Sequence, residues 1–354
     1  MANNKNPRKL WSAVFKVALP LVITVGLCWK LFSDVDFSQM IDIIRRQCDY
    51  RWIALALVLS VFSHIFRAMR WRIQLRAIDC RPSLFTLTLS IFGTYAVNLV
   101  FPRLGELWRT GYIAQREDSP FDGVFGSMVA DRLADTVTVA LITLSTLIFA
   151  GGPLLEFLAE HGNRGLLDSL RSALLSPWLY ICGLLLLALA WWILRRFAAN
   201  RFIGRLRGFL AGLWHGFAAI ATMHGRLRWL LLTFMIWGCY FLQLYVAFFA
   251  FPATAQVVAL HGVGAVMVCF VLSSISMVVP SNGGIGPWQT AVVFALGLYS
   301  AGIPELTREY STAFANLVMG SQTLLLILLG IFTFVCIALQ RRSRKPLSNT
   351  PHHV

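Results

Sequence analysis

Met277-Val278-Val279-Pro280-Ser281-Asn282-Gly283-Gly284-Ile285-Gly286-Pro287-Trp288-Gln289-Thr290 interrupts a long apolar run of the chain. Four of the five residues from 283 to 287 are Gly or Pro, which break helical hydrogen bonding or favour turns. A milder counterpart is Asn98-Leu99-Val100-Phe101-Pro102-Arg103-Leu104-Gly105-Glu106-Leu107-Trp108-Arg109-Thr110. Each reads as an apolar segment, a Pro, a Gly-containing break, then Trp, a polar residue and Thr. Two readings stand: a helical hairpin broken at depth, or a kink, since Pro and Gly are common in membrane helices.

The surrounding composition decides the medium. Of 354 residues, 57% are hydrophobic and 13% charged, with 26 Phe and 12 Trp. A soluble chain of that make-up cannot cover its surface, and a disordered, collagenous or disulfide-stapled secreted protein is excluded. The fold class expected is an all-α polytopic integral membrane protein. Net charge is +15, and between Lys30 and Lys345 every cation is Arg, the side chain that grips phosphate in a bidentate fork. A GC-rich genome accounts for that bias equally well. The cations sit in short segments between apolar runs without a nucleic-acid motif, so nucleic acid is set aside as a partner.

Runs 11–32, 52–66, 124–150, 177–194, 229–251 and 311–339 are apolar enough to cross a hydrocarbon layer that needs about 20 helical residues. Lys/Arg in short loops mark the cytoplasmic side. Segment 195–228 carries seven and 67–83 carries five, so both belong inside. That holds only if 84–115 inserts from the cytoplasm and returns to it, and 257–302 starts and ends outside. The cytoplasmic segments then hold 22 Lys/Arg and the outer ones six. About six crossings plus two broken hairpins inserted from opposite faces are expected, an inverted repeat of the kind secondary transporters use. Segments 33–51 and 152–176 carry apolar residues at helical spacing (Phe37, Met40, Ile41, Ile44; Leu154, Leu155, Leu158) among acidic ones, as for helices lying in the interface. Residues 1–10 read as a cytoplasmic N-terminus, 11–339 as one transmembrane domain, and 340–354 as a disordered basic tail. The N-terminal basic residues resemble a signal peptide, but Lys16 interrupts the apolar run, so an uncleaved first helix is expected.

A charge at the bilayer centre costs about 2.5–3.5 kcal/mol on insertion scales, so charged residues in apolar runs are functional candidates. Arg103, Glu106 and Arg109 recur at spacings of three, where Glu106 can pair with either arginine. They read as a lipid-phosphate site or as an ion pair at the cytoplasmic rim. Asp131 and Asp135 share a helical face, with Arg132 three residues before Asp135. They read as partners for the first cluster, as a proton carrier if burial raises a pKa, or as a static packing network. Arg67, Arg70, Arg72 and Arg76 continue helix 52–66. The first three suit lipid phosphates at the inner interface, and snorkelling flank arginines are the alternative.

Seven cysteines occur without a C-x-x-C pair, and the histidines show no ligand spacing, so no metal or cofactor is expected. G-x-x-x-x-G-K-[ST], H-E-x-x-H and G-x-S-x-G are all missing from the sequence.

Asn98…Pro102-Arg103-x-Gly105-Glu106-x-x-Arg109, Asp131-Arg132-x-x-Asp135 and Pro280-x-x-Gly283-Gly284-x-Gly286 together resemble the flippase-like transmembrane-region family of lysylphosphatidylglycerol synthases, over about residues 11–339. The resemblance implies a polytopic inner-membrane protein that moves anionic, aminoacylated or polyprenyl-linked lipids between leaflets, with membrane lipids and a separate lipid-synthesising enzyme as partners. Synthase activity is not implied, because the bifunctional members fuse a cytosolic transferase domain where this chain has a short basic tail. Two positions depart from the family: Asp131, where members usually carry Glu, and Gln289, where many carry Glu. The second puts a proton-carrying role there in doubt.

The expected function is translocation of a phosphate-bearing lipid. Arg103 and Arg109 bind phosphate, Glu106, Asp131 and Asp135 balance the cations, and the backbone of 281–286 meets the headgroup. Asn98, Pro102, Gly105, Arg132, Pro280, Ser281, Asn282, Gly283, Gly284, Gly286 and Gln289 complete the expected substrate site. A membrane-embedded transferase with Glu106 or Asp131 as general base, and a non-catalytic assembly subunit, are the alternatives.

Overall fold

The computed structural model describes residues 37–150, 152, 225–279 and 281–343. The expected spans 11–32 and 177–194, nearly all of the interfacial segment 152–176, most of 195–228, both termini and Pro280 lie outside the described residues. Those described form helices and connections, with no strand among them. The helices are α1 (Phe37–Gln47), α2 (Tyr50–Arg76), α3 (Leu84–Val100), α4 (Leu104–Arg116), α5 (Phe121–Ala150), α6 (Arg226–Phe248), α7 (Pro252–Ser276), α8 (Pro287–Gly297) and α9 (Arg308–Ser343). Five of them, α2, α5, α6, α7 and α9, are long and apolar enough to cross a membrane. Leu141, Ile148, Phe234 and Leu328 stand more than half exposed on these helices, a surface suited to hydrocarbon and not to water. The chain is a multi-pass membrane protein.

Local chemistry sets the helix starts. The Asp49 carboxylate accepts from Arg51 N at the head of α2, and Ser83 Oγ accepts from Thr86 N at the head of α3, each meeting an otherwise orphaned amide. Pro252 opens α7 at a position where its missing N–H costs nothing. This start lies ahead of residue 257, where the apolar run was expected to begin. Although α7 has 25 residues, Gly262 breaks it with φ 68° and ψ −166°. The uninterrupted piece from 263 to 276 is then about 21 Å long at 1.5 Å per residue, so the whole of α7, and not this piece alone, has the length to cross about 30 Å of hydrocarbon.

Two hairpins follow from these elements. Asp49 N donates to Ala250 O at 2.8 Å, so the α6–α7 turn sits beside the start of α2. α7 therefore inserts from that end, while α3 inserts from the other, following the end of α2. Each hairpin returns to its own end. Cys80, just before α3, is buried in one cluster with Ile113 and Ala114 near the end of α4. Ala253 N, at the start of α7, donates to Tyr310 Oη beyond α8 at 3.2 Å.

A separate core holds each end. Trp71, Leu75, Leu87, Ile91, Ile113, Val124 and Met128 pack the end of α2 against α3, α4 and α5. Phe248, Phe251, Tyr310 and Phe314 pack the start of α7 against α6 and α9, with ring centroids 5.3–6.0 Å apart at steep angles, the edge-to-face geometry aromatic quadrupoles favour. In α1 Ile43 is buried and Ile44 packs against the core, while Ile41 is 46% exposed. The described cysteines 48, 80, 239, 269 and 336 are free. Burial, and then the Asp49 carboxylate, push the Cys48 thiol up to about 11, which leaves it protonated and unreactive near neutral pH.

Candidate functional site

The tip of the α3–α4 hairpin is built by Asn98. Its Oδ1 accepts from Gly105 N at 2.8 Å, and its Nδ2 donates to Glu106 Oε2 at 3.3 Å. One side chain thus caps α4 from the last turn of α3. A Cβ on Gly105 would run into the Thr94 carbonyl oxygen, so the two backbones touch there and only glycine fits. Arg103 adopts a left-handed conformation, φ 61°, and stands ahead of the first turn of α4.

The tip of the α7–α8 hairpin uses glycines instead. Gly283, Gly284 and Gly286 all have positive φ, 62°, 85° and 95°. Gln289 reaches back so that its Oε1 accepts from Gly286 N at 2.7 Å, and its Nε2 lies 3.5 Å from Asn316 Oδ1 on α9. Ser281 and Asn282 are partly buried in the turn, and Asn282 O accepts from Ile285 N.

These two tips meet. Arg103 Nη2 donates to Val278 O at 2.8 Å, and Leu99 lies over Gly283, where a Cβ would come within 2.6 Å of Leu99 Cδ2. Hairpins inserted from opposite ends therefore join at their breaks, where backbone groups without helical partners are tolerated only if protein or water surrounds them.

Behind the first tip lies a buried ion network. Arg67 and Arg70 of α2, 3% and 0% exposed, face Asp131 and Asp135 of α5. Arg67 Nη1 donates to Asp135 Oδ2 at 2.7 Å and Asp131 Oδ2 at 3.3 Å. Arg70 donates to Asp131 Oδ1 at 2.9 Å and to Asp135 Oδ1 at 2.7 Å. Arg67 and Arg70 were expected at the headgroups of the inner interface. They are instead sealed between helices, because two carboxylates on one face of α5 supply the opposite charge that burial demands. Arg72, two residues on from Arg70, is only partly buried.

Glu106 pairs neither with Arg103 nor with Arg109, contrary to the spacing argument. It bonds Arg132 Nη2 of α5 at 2.5 Å, because the left-handed Arg103 lies off the helical face and Arg109 turns inward. Arg132 also lies 3.9 Å from Asp135 Oδ2, the i, i+3 pair expected. Arg109 is fully buried, its guanidinium 4.5 Å from the centroid of Trp71 and 3.7 Å from Asp131 Oδ2. None of its three guanidinium nitrogens makes a hydrogen bond. The expected residues thus divide: Asn98, Gly105, Glu106, Arg132, Asp131, Asp135 and Arg109 converge around α4, and Arg103 bridges to the other hairpin. Gly283, Gly284, Gly286 and Gln289 shape the second tip, and Pro102, partly buried, sits in the turn of the first.

Several contributors lie outside those motifs. On α6, Tyr240 Oη accepts from Arg67 and Thr233 Oγ1 from Arg70, each at 3.3 Å. Tyr95 Oη lies 3.4 Å from Tyr240 Oη. In an apolar run a lone Tyr or Thr carries no spacing signal, and only its polarity hints at a partner.

The fold and site together define a multi-pass membrane protein, helical throughout its described residues, in which the α3–α4 and α7–α8 turns meet near a buried arginine–carboxylate cluster. The chain belongs to the family described as lysylphosphatidylglycerol synthase TM region, whose model matches residues 17–330. It is 31% identical over 121 residues, 34% of this chain and 19% of that protein, to a glycosyltransferase AglD of Haloferax volcanii. It is 30% identical over 110 residues, 30% of this chain and 31% of that protein, to a UPF0104 membrane protein of Methanothermobacter thermautotrophicus. The alignments span less than a third of either relative. No solved structure matches the chain.

Proposed function

We propose that the protein moves an anionic, phosphate-bearing lipid between the leaflets of a bacterial-type inner membrane, with both termini in the cytoplasm, and does no covalent chemistry. The observation that carries this reading is Arg109. It is buried, its nearest carboxylate is already engaged by Arg67 and Arg70, and its nitrogens lack hydrogen-bond acceptors. A buried guanidinium in that state is costly unless an anion completes it, and a phosphate is the acceptor its fork fits. Arg103, exposed at the junction of the two tips, meets the phosphate first. Glu106 holds Arg132 so that the site is cationic without being saturated.

Within this scheme Arg67, Arg70, Asp131 and Asp135 lock α2 to α5, while Arg103, Arg109 and the Glu106–Arg132 pair handle substrate. Phospholipids and polyprenyl-linked lipids both present the required phosphate, and a separate lipid-synthesising enzyme would supply them. Protein reconstituted in vesicles should accelerate leaflet exchange of a fluorescent phosphatidylglycerol, and Arg103→Ala should slow it at least tenfold with unchanged thermal stability. Equal exchange by the variant removes Arg103 from the site.

Similarity to a protein named as a glycosyltransferase favours one alternative, a membrane-embedded transferase acting on a lipid-linked substrate. Glu106 or Asp131 would then act as general base, although both are held in ion pairs. Product analysis after incubation with candidate lipids separates the two, since a translocase returns the lipid chemically unchanged.

A further inference from the structure

Beside the α7–α8 tip lies a groove of about 290 Å³ between the start of α8 and the middle of α9. It is continuous with the tip: Gly284 packs against Met319 and Met277, and Met319 lines the groove with Ile285. Leu324 and Ile327, 59% and 44% exposed, form its outer wall on a helix of strongly apolar composition. The groove therefore opens sideways into the bilayer, and hydrocarbon is the one filling its wall accepts.

Its size and polarity narrow the occupant. A methylene-sized group takes on the order of 30 Å³, so the groove accommodates roughly ten such groups, one chain of a lipid and not two. At the hairpin end the wall changes to amides, Gln289 and Asn316, with Thr323 beyond. Gln289 is already tied to Gly286 N and Asn316, which holds this polar end in place. None of the eight lining residues is charged, so the polar end suits the neutral ester and glycerol neck of a lipid and leaves its phosphate to the cations across the tip. Gly320 lies on the groove's wall, and a Cβ there would meet nothing within 4 Å.

We propose that this groove is a lateral lipid site that holds one acyl chain of a diacyl phospholipid along Met319–Ile327, with the lipid's ester neck against Gln289 and Asn316. In transport the groove depends on the translocation reading above; its occupancy does not. Full-length protein in vesicles of phosphatidylglycerol doped with an acyl-chain diazirine analogue should, on irradiation, give adducts on 319–327 at least fivefold above those on the lipid-facing stretch Leu141–Ile148 of α5. Gly320→Phe, which fills the groove, should abolish that excess and slow leaflet exchange, while Gly238→Phe, on an open face of α6, should preserve both. Adducts no denser on 319–327 than on α5 overturn the proposal, as does an excess that survives Gly320→Phe. So does a groove left unlabelled because a second copy of the chain covers it. Wild-type protein that labels as expected yet exchanges no lipid upholds the groove and removes the translocation reading.

Discussion

The two hairpins solve the same problem with opposite chemistry. At the α3–α4 tip the turn is held by one side chain, Asn98, and backed by charges. At the α7–α8 tip three glycines with positive φ make the turn, and a neutral amide, Gln289, holds it. Between residues 98 and 110 there are two arginines and a glutamate, whereas 277–290 has no charged residue. One tip is thus charged and built by side chains, and the other neutral and built by backbone. The difference shows that two turns of like outline can be held by unlike chemistry.

The largest effect expected in this comparison concerns the charged side. Asp131→Ala should destabilise the protein by about 3–5 kcal/mol, because Arg67, Arg70 and Arg109 all face that carboxylate and burial leaves them uncompensated. Thermal unfolding in detergent measures it, and a shift smaller than that of any single uncharged substitution refutes the network's structural role. Next, Gly105→Ala should cost about 1–3 kcal/mol, since its methyl meets fixed backbone at Thr94. Gly283→Ala should cost about 1–2 kcal/mol, mainly from its left-handed backbone, because Leu99 above it can move. If Gly283→Ala proves the more damaging, the second tip is the more rigid. Gln289→Ala should remove about 1 kcal/mol with the bond to Gly286 N, read from the same unfolding midpoints. Arg46→Ala, which breaks only the exposed pair with Asp42, should change stability by under about 0.5 kcal/mol and sets the floor of the series.

The sequence reading went furthest where composition and breaks coincide. The apolar runs and the 283–287 cluster foretold helices and one interruption. It failed where a charge finds its partner on another helix. Arg67 and Arg70, expected at lipid headgroups, are neutralised by Asp131 and Asp135, more than sixty residues away. Spacing rules see partners within a helix and miss those across one. The same limit misassigned Glu106, whose partner Arg132 lies on another helix, and it hid Tyr240 and Thr233. The Gly262 break in α7 also escaped notice, since a lone Gly flanked by valine and histidine reads as an ordinary helical residue.

The contact between Arg103 and Val278 O, with Leu99 seated on Gly283, has a mechanical consequence. Among the described residues the two tips touch through the Arg103–Val278 hydrogen bond and the seat of Leu99 on Gly283. Drawing either tip back uncouples it from the other, so movement of one hairpin is transmitted to the other through that junction. A passage opened by parting the tips would be walled by the ends it separates, with a guanidinium on one bank and bare peptide carbonyl on the other.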